Sequence, residues 1–236
     1  SRMRTLDESR QEFVSNVSHE LKTPITSMKV LADSLISQED VPVELYKEFM
    51  TDIADEIERE NKIITDLLSL VKMDKTSANL NIENCNLNEL IELILKRLRP
   101  IAKQRNIDVL YESAREVFAE IDEVKLTLAI SNLVENAIKY NNEYGYVKVS
   151  LDADHQFATI TVEDNGIGIP QEAQEHIFER FYRVDKSHSR EIGGTGLGLA
   201  IARNAILLHR GSIKIDSEEG QGTVFTVKIP IIYVSK

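Results

Sequence analysis

"FVSNVSHELKTPIT" (residues 13–26) sets His19 and Glu20 side by side in a run that otherwise reads as helix, with Pro24 five residues beyond the histidine. From Val17 the apolar side chains continue at Leu21, Met28, Leu31 and Leu35, and Pro24 completes steps of four, three, four, three, four. That alternation is the a/d seam of a helical bundle or coiled coil. With Val17 at d and Leu21 at a, His19 falls at f, the position farthest from the seam, Glu20 at g and Thr23 at c. The ring is therefore expected to point outward, inside a polar patch. Pro24 has no amide to give the Glu20 carbonyl and clashes with it, so the helix should bend or loosen there.

Outward from this stretch, a first helix is expected over about 5–36, a turn at "SQEDVP" (residues 37–42) and a second helix over about 43–73. The second seam runs through Met50, Ile53, Ile57, Ile64, Leu67 and Val71, with Glu60 as a polar interruption. Phe49, Ile63, Leu68 and Leu70 widen the stripe beyond what one hairpin can cover. Two hairpins are then expected to pair as a four-helix bundle, which makes the protein a homodimer.

The pattern changes after "KTSANLNIENCN" (residues 75–86), so residues 1–75 are read as an all-α hairpin domain, 76–85 as a linker and 86–236 as a second domain. There, 87–104 reads as helix, "IDVLYE" and "VFAEI" as short strands, and 122–140 as a helix with Asp122 as N-cap. "YVKVSLD" and "FATITVED" read as a hairpin, 198–209 as a helix, and "GSIKIDS" and "GTVFTVKIP" as a closing strand pair. Helices with a mixed, mostly antiparallel sheet give an α+β sandwich.

The 236 residues are 42% apolar, enough for one or two compact domains with their own cores. A net charge of −11 argues against a nucleic-acid binder, although a few local cations and amides can still hold a nucleotide. The lone Cys85 excludes an intrachain disulfide, and the zinc-site spacings are absent. No apolar run approaches the roughly 18 residues of a membrane span. The opening "SRMRTLDESRQ" reads as the tail of a connector helix, so a membrane segment could lie upstream of it.

Four stretches in the second half carry chemistry. In "NLVENAIKYN", Asn132, Asn136, Lys139 and Tyr140 share one helical face. Amide oxygens are hard ligands of the kind Mg²⁺ accepts, and a lysine is a point charge for phosphate. In "VEDNGIGIP", Asp164 ends an apolar strand, and Gly166 and Gly168 let the backbone approach a flat ligand. A carboxylate accepts from the exocyclic amine of adenine and repels the carbonyl of guanine. In "GGTGLGLAIA", Gly194, Thr195, Gly196, Leu197 and Gly198 open a helix, a setting suited to an anion. In "FERFYRVDKSHSREI", Arg180 and Arg183 flank aromatics before a charged segment, as in a hinged lid at about 182–195 with a phosphate-reaching arginine. Singly, each has an ordinary reading as a cap, a turn, a loop or a surface ion pair.

Together and in this order, the chain closely resembles bacterial two-component sensor histidine kinases. "FVSNVSHELKTPIT" resembles their H box, "NLVENAIKYN" the N box, "VEDNGIGIP" the G1 box, "IFERFYRVD" the F box, "GGTGLGLAIA" the G2 box and "GQGTVF" a G3-like element. The resemblance implies a dimerisation and phosphotransfer bundle followed by a Bergerat-type ATP-binding domain, the fold shared with gyrase, the Hsp90 chaperone and MutL. It implies His19 as phosphoacceptor, Glu20 as neighbouring acid/base and Thr23 as a residue linked to phosphatase activity. By the same resemblance, Asn136 coordinates Mg²⁺ with Asn132 in support. Lys139 and Arg183 reach phosphate, Asp164 reads adenine, Tyr140, Gly166 and Gly168 line the nucleotide, and residues 194–198 lie along the triphosphate.

The cofactors implied are ATP and Mg²⁺. The partners are a second copy of the chain and a response-regulator receiver domain, with no nucleic acid. The place implied is the cytoplasmic portion of an inner-membrane sensor, with sensor or membrane segments outside this sequence. ATPase relatives carry a water-activating glutamate where this chain has Asn132, which should suppress hydrolysis and spare the γ-phosphate for another nucleophile. Two other classes remain open: an ATPase or serine/threonine kinase on the same fold, and a non-catalytic dimeric adaptor.

Overall fold

The computed structural model describes residues 2–75, 80–184 and 194–234, with side chains described throughout except at 2–10 and 75. The chain divides into two units, Ser1–Leu68 and Ser69–Lys236.

The first unit holds α1 (Arg2–Ile36) and most of α2 (Val43–Lys75). α1 runs unbroken through Pro24, which is buried. The Thr23 hydroxyl donates back to the His19 carbonyl at 3.0 Å, a local bond of the kind that tends to bend helices. Pro24 and Leu35 are buried, and Val17, Leu21, Met28 and Leu31 are half-buried, so the a/d reading of α1 stands. α2 departs from the expected pattern. Ile63, read as widening the seam, is 1% exposed, whereas the heptad row Met50, Ile57, Ile64 and Val71 is 57, 46, 41 and 39% exposed. A single chain covers only part of an α2 stripe this wide. The seam row is therefore not the face buried within one chain.

The second unit starts at Ser69, inside α2, and contains a strand that the sequence did not suggest. Residues 82–85, read as the end of a linker, belong to β1 (Ile82–Asn86), which pairs antiparallel with β3 (Phe118–Asp122) in a two-stranded sheet. "IENCN" lacks the apolar alternation of a strand, and its pairing comes from β3 rather than from its own pattern. α3 (Leu87–Gln104) begins where the Asn86 side chain accepts from the amides of Asn88 and Glu89. Its buried row is Leu87, Leu90, Ile91, Ile94, Leu95, Leu98 and Ala102. α4 (Glu123–Lys139) is capped by Asp122, as expected, and buries Leu126, Ala129, Ile130, Leu133, Val134, Ala137 and Ile138.

The main sheet has five strands in the order β2-β4-β5-β7-β6, from β2 (Asp108–Ser113), β4 (Tyr146–Ala153), β5 (Phe157–Asp164), β6 (Ser212–Glu218) and β7 (Gly222–Pro230). The β2–β4 pair is parallel and the rest antiparallel. Register sorts the faces. One row runs Tyr111, Val149, Val162, Phe225, Ile215; the next runs Glu112, Ser150, Thr161, Thr226, Lys214. Helices cover the apolar face and water meets the polar one, the two-layer solution for such a sheet. A four-residue α5 (Gln171–Gln174) and α6 (Gly198–Leu208) complete the unit.

His209, just past α6, is 2% exposed and fixes the junction of β3 and α4. Its Nε2 accepts from the Asp122 amide at 3.0 Å and its Nδ1 donates to the Ala205 carbonyl at 2.6 Å, so the ring is neutral with the proton on Nδ1. Burial holds its pKa below the ordinary histidine value. A lowered folded pKa means that acid charges the unfolded chain first. The stability that this ring gives is full above about 6.5 and is lost as pH falls below it. Asp122 adds the same sign at lower pH. Burial alone would raise its carboxyl, but bonds from the Lys125 side chain and amide and from the Asn81 amide outweigh that and hold it low. His209→Ala strands a buried amide, at a cost of about 2 kcal/mol. Calorimetry should show Tm lower by about 4–8 °C, with a flatter dependence of stability on pH below 6.5.

Candidate nucleotide and phosphoacceptor site

α4 presents Asn132, Asn136, Lys139 and Tyr140, all half-buried, along its edge. Asn132 donates from Nδ2 to the Leu128 carbonyl at 2.9 Å, and its Oδ1 stands 2.7 Å from where a Cβ on Gly198 would be. Any side chain at 198 would collide with it, so the start of α6 lies directly against α4. The Asn136 side chain makes no hydrogen bond among the described residues, leaving a half-buried amide oxygen available to a ligand.

The end of α4 is tied to the loop after β5. The Tyr140 carbonyl accepts from the Ile167 amide at 3.0 Å, and a Cβ on Gly166 would meet that same carbonyl at 2.2 Å, so only glycine fits. Asn141 and Asn165 join in: Asn141 donates to the Tyr146 carbonyl and Asn165 accepts from the Tyr146 amide, at 2.9 and 2.7 Å.

Asp164, at the end of β5, is 9% exposed. Its Oδ1 accepts from the Gly166 amide at 2.8 Å, and the Thr223 amide also bonds to the carboxylate. Burial is the largest influence and pushes its pKa up to about 6; those two amides pull it down and the Glu163 charge adds to the rise. Gly222, at φ 123°, brings β7 so close that a Cβ would sit 2.1 Å from the Asp164 carbonyl. Thr223, whose hydroxyl lies 2.8 Å from Ser217 Oγ, was not singled out in the sequence. Its signal was the glycine before it in "GQGTVF", a mark of close backbone approach.

Ahead of α6, Arg183 donates to the Gly194 carbonyl and the Phe181 amide to the Gly196 carbonyl, the latter at 2.8 Å. Phe181 holds φ 64°, unusual for an aromatic residue, and its backbone abuts Gly196. The Thr195 hydroxyl accepts from the Leu197 amide at 3.2 Å. Tyr140 has its phenol pKa raised by burial, with the Arg183 charge opposing. The structure thus gathers Asn132, Asn136, Lys139, Tyr140, Asp164, Gly166, Gly168, Arg183 and residues 194–198 onto α4, the end of β5 and the approach to α6. Most of the expected lid, residues 185–193, lies outside the described residues. Arg180 instead pairs with Asp74 at 2.7 Å.

The donor set suits an adenine nucleotide better than a protein-held metal cluster. Among the described residues no group of three His, Cys, Asp or Glu could hold a metal ion. Mg²⁺ takes few protein ligands and is completed by phosphates and waters, and the available Asn136 oxygen fits that habit.

His19, Glu20 and Thr23 lie on α1, in the other unit. His19 is exposed, and Glu20 and Thr23 are half-buried. The outward f position read from the sequence is the one observed.

Family comparisons agree with this division. Residues 9–76 match the family of His Kinase A (phospho-acceptor) domains, and residues 121–232 match the histidine kinase-, DNA gyrase B- and HSP90-like ATPases. The class is thus a phospho-acceptor hairpin joined to an ATPase-type domain. The chain is 32% identical to the catalytic domain of the histidine kinase ThkA, covering 97% of that chain and 65% of its own at a TM-score of 0.58. It belongs to the bacterial sensor histidine kinases. It is 38% identical over 228 residues to the sensor histidine kinase WalK of Bacillus subtilis, covering 95% of its own length but 37% of WalK. It is also similar to ThkA in a crystal structure with the response regulator protein TrrA, at 26% identity and a TM-score of 0.75, covering 98% of its own length and 67% of that chain. Among the described residues no helix is long and apolar enough to cross a membrane.

Proposed function

We propose that this chain transfers the γ-phosphoryl group of ATP to His19 and then to an aspartate of a response-regulator receiver domain. The observation that carries this reading is an exposed imidazole on α1 in a chain whose second unit gathers the nucleotide residues described above. Neutral imidazole is a competent nucleophile near pH 7. One ring nitrogen forms a bond to the γ-phosphorus as the bond to the ADP oxygen breaks, and the other nitrogen's proton, now more acidic, passes toward Glu20. Asp164 accepts from the adenine amine, and Lys139 and Arg183 meet phosphate charge. Asn136 would hold Mg²⁺, which would neutralise phosphate charge there. Most of the rate then comes from positioning and charge neutralisation. Asn132, engaged by Leu128 and packed on Gly198, has no basic group with which to activate water.

The exposed heptad row Met50, Ile57, Ile64 and Val71 supports a homodimer through the hairpins, and an isolated hairpin that sediments as a folded monomer would overturn this. Thr23, whose hydroxyl bonds back to the His19 carbonyl, assists hydrolysis of the regulator's acyl phosphate in this reading. Pro24 removes one bond beside it, giving α1 two arrangements that an upstream signal can select. Pro24→Ala should shift the ratio of kinase to phosphatase rates about fivefold or more, on the order of 1 kcal/mol. An unchanged ratio removes Pro24 from the switch.

Incubation with γ-labelled ATP tests the reaction. Protein-bound label that is acid-labile and alkali-stable is expected. ADP released without labelled protein indicates an ATPase, acid-stable label a serine/threonine kinase, and nucleotide binding without turnover an adaptor.

A further inference from the structure

A groove in the second unit, lined by none of the nucleotide residues named above, has a charge opposite to that of the protein. Between Leu95 and Arg105 the chain carries Lys96, Arg97, Arg99, Lys103 and Arg105 and no carboxylate, within a protein of net charge −11. Three of these, Lys96, Arg99 and Lys103, lie three and four residues apart on one face of α3 and line an open cavity of about 780 Å³. Pro100, Asn106, Ile107, Asp108, Val109 and Tyr144 form the rest of the wall. None of the three cations makes an ion pair with a described residue, and Asp108 is the only carboxylate on the wall.

The opposite bank is the outer edge of the main sheet. β2 ends the strand order, and among the described residues nothing pairs with its far side. The Asp108 amide bonds to the Gly145 carbonyl at 3.0 Å, on the β4 side, which sets the alternation. Leu110 and Glu112 therefore turn their backbone groups to β4, and Val109 and Tyr111 turn theirs to the open edge. Edge strands are usually blunted by charged side chains, prolines or bulges. "DVLYES" carries Asp108 and Glu112 but no lysine, proline or bulge, so the cations of α3 must outweigh these two carboxylates for an acidic strand to add. Tyr144, 79% exposed at φ 64°, and Leu110, 48% exposed, supply apolar surface beside the edge.

We propose that this groove docks an extended acidic segment of another polypeptide, added as a strand to β2 with its carboxylates facing Lys96, Arg99 and Lys103. Strand addition supplies main-chain bonds at Val109 and Tyr111, and the three cations select an acidic sequence. A membrane or nucleic acid fits less well. Both present broad anionic surfaces that the protein's overall negative charge repels, whereas a peptide inside the groove lies within a Debye length of about 8 Å of the cations. The proposal goes beyond phosphotransfer and does not depend on it.

The test uses the whole chain and a fluorescein-labelled octapeptide of alternating glutamate and valine, followed by anisotropy at low and physiological salt. Saturable binding is expected, weakened by salt, at least tenfold weaker when one central valine of the peptide is replaced by proline, and accompanied by slowed exchange of the Val109 and Tyr111 amides. The combined variant Lys96→Glu, Arg99→Glu, Lys103→Glu should lose at least tenfold in peptide affinity with nucleotide binding unchanged, which also shows that it folds. Equal binding of the proline peptide, unchanged exchange at Val109 and Tyr111, or an affinity indifferent to the three substitutions overturns the proposal. So does binding of the wild-type chain to phosphatidylserine vesicles that the triple variant loses while keeping the peptide.

Discussion

His19→Gln is expected to abolish phosphate incorporation from ATP, by a factor on the order of 10³ or more, while nucleotide affinity stays the same. The glutamine side chain is similar in size and polarity but offers no basic nitrogen lone pair to phosphorus. His19 is exposed, and surface replacements away from special features usually change stability by less than about 0.5 kcal/mol. The loss is therefore chemical, and single-turnover transfer measured beside equilibrium nucleotide binding separates the two. Glu20→Gln should be milder, about 10²-fold, because water can still accept the ring proton, and its deficit should narrow as pH rises.

Asp164→Ala is expected to weaken ATP binding by about 10²-fold or more, since it removes the acceptor proposed for the adenine amine from a nearly dry site. It also strands the Gly166 and Thr223 amides, so Asp164→Asn is the necessary companion. Asparagine keeps an acceptor for those amides and cannot titrate. In the wild type, burial lifts the carboxyl to about 6, so affinity should fall as pH drops through that value, while the Asp164→Asn variant shows no such step. The linkage to folding has the opposite sign. A raised folded pKa means that the native state holds its proton longer than the unfolded chain, so the stability Asp164 gives is full below about 4 and is lost as pH rises to about 6. His209 acts the other way. Isothermal titration of the wild type and both Asp164 variants between pH 4 and 8, with denaturant melts alongside, resolves both effects.

Much of this was legible before the structure because each signal was local. The f position of His19 follows from a seam of period 3.5, and the Asp122 cap from one residue ahead of an apolar helix. The runs that become β4, β5 and β7 read as strands from their own composition. What stayed hidden depends on partners distant in sequence. β1 exists because β3 pairs with it, not because "IENCN" alternates. The α2 stripe is apolar around too much of its girth for spacing alone to tell which row faces the chain's own helix, and Ile63 rather than Ile64 is buried. Thr223 meets Asp164 across two strands, and Asn132 meets Gly198 across two helices, contacts that no spacing encodes. The basic face of α3 is visible as a run of cations, but its groove appears only once β2 becomes the sheet edge.

The central claim is that one solvent-facing imidazole on α1 receives the phosphoryl group. Phosphorus NMR at neutral pH after reaction with ATP, combined with mass mapping of the modified peptide, tests it most directly. A phosphoramidate resonance on the peptide containing His19 is the expected result; a phosphoester on serine or threonine, or a phosphoramidate on any other histidine, would contradict it.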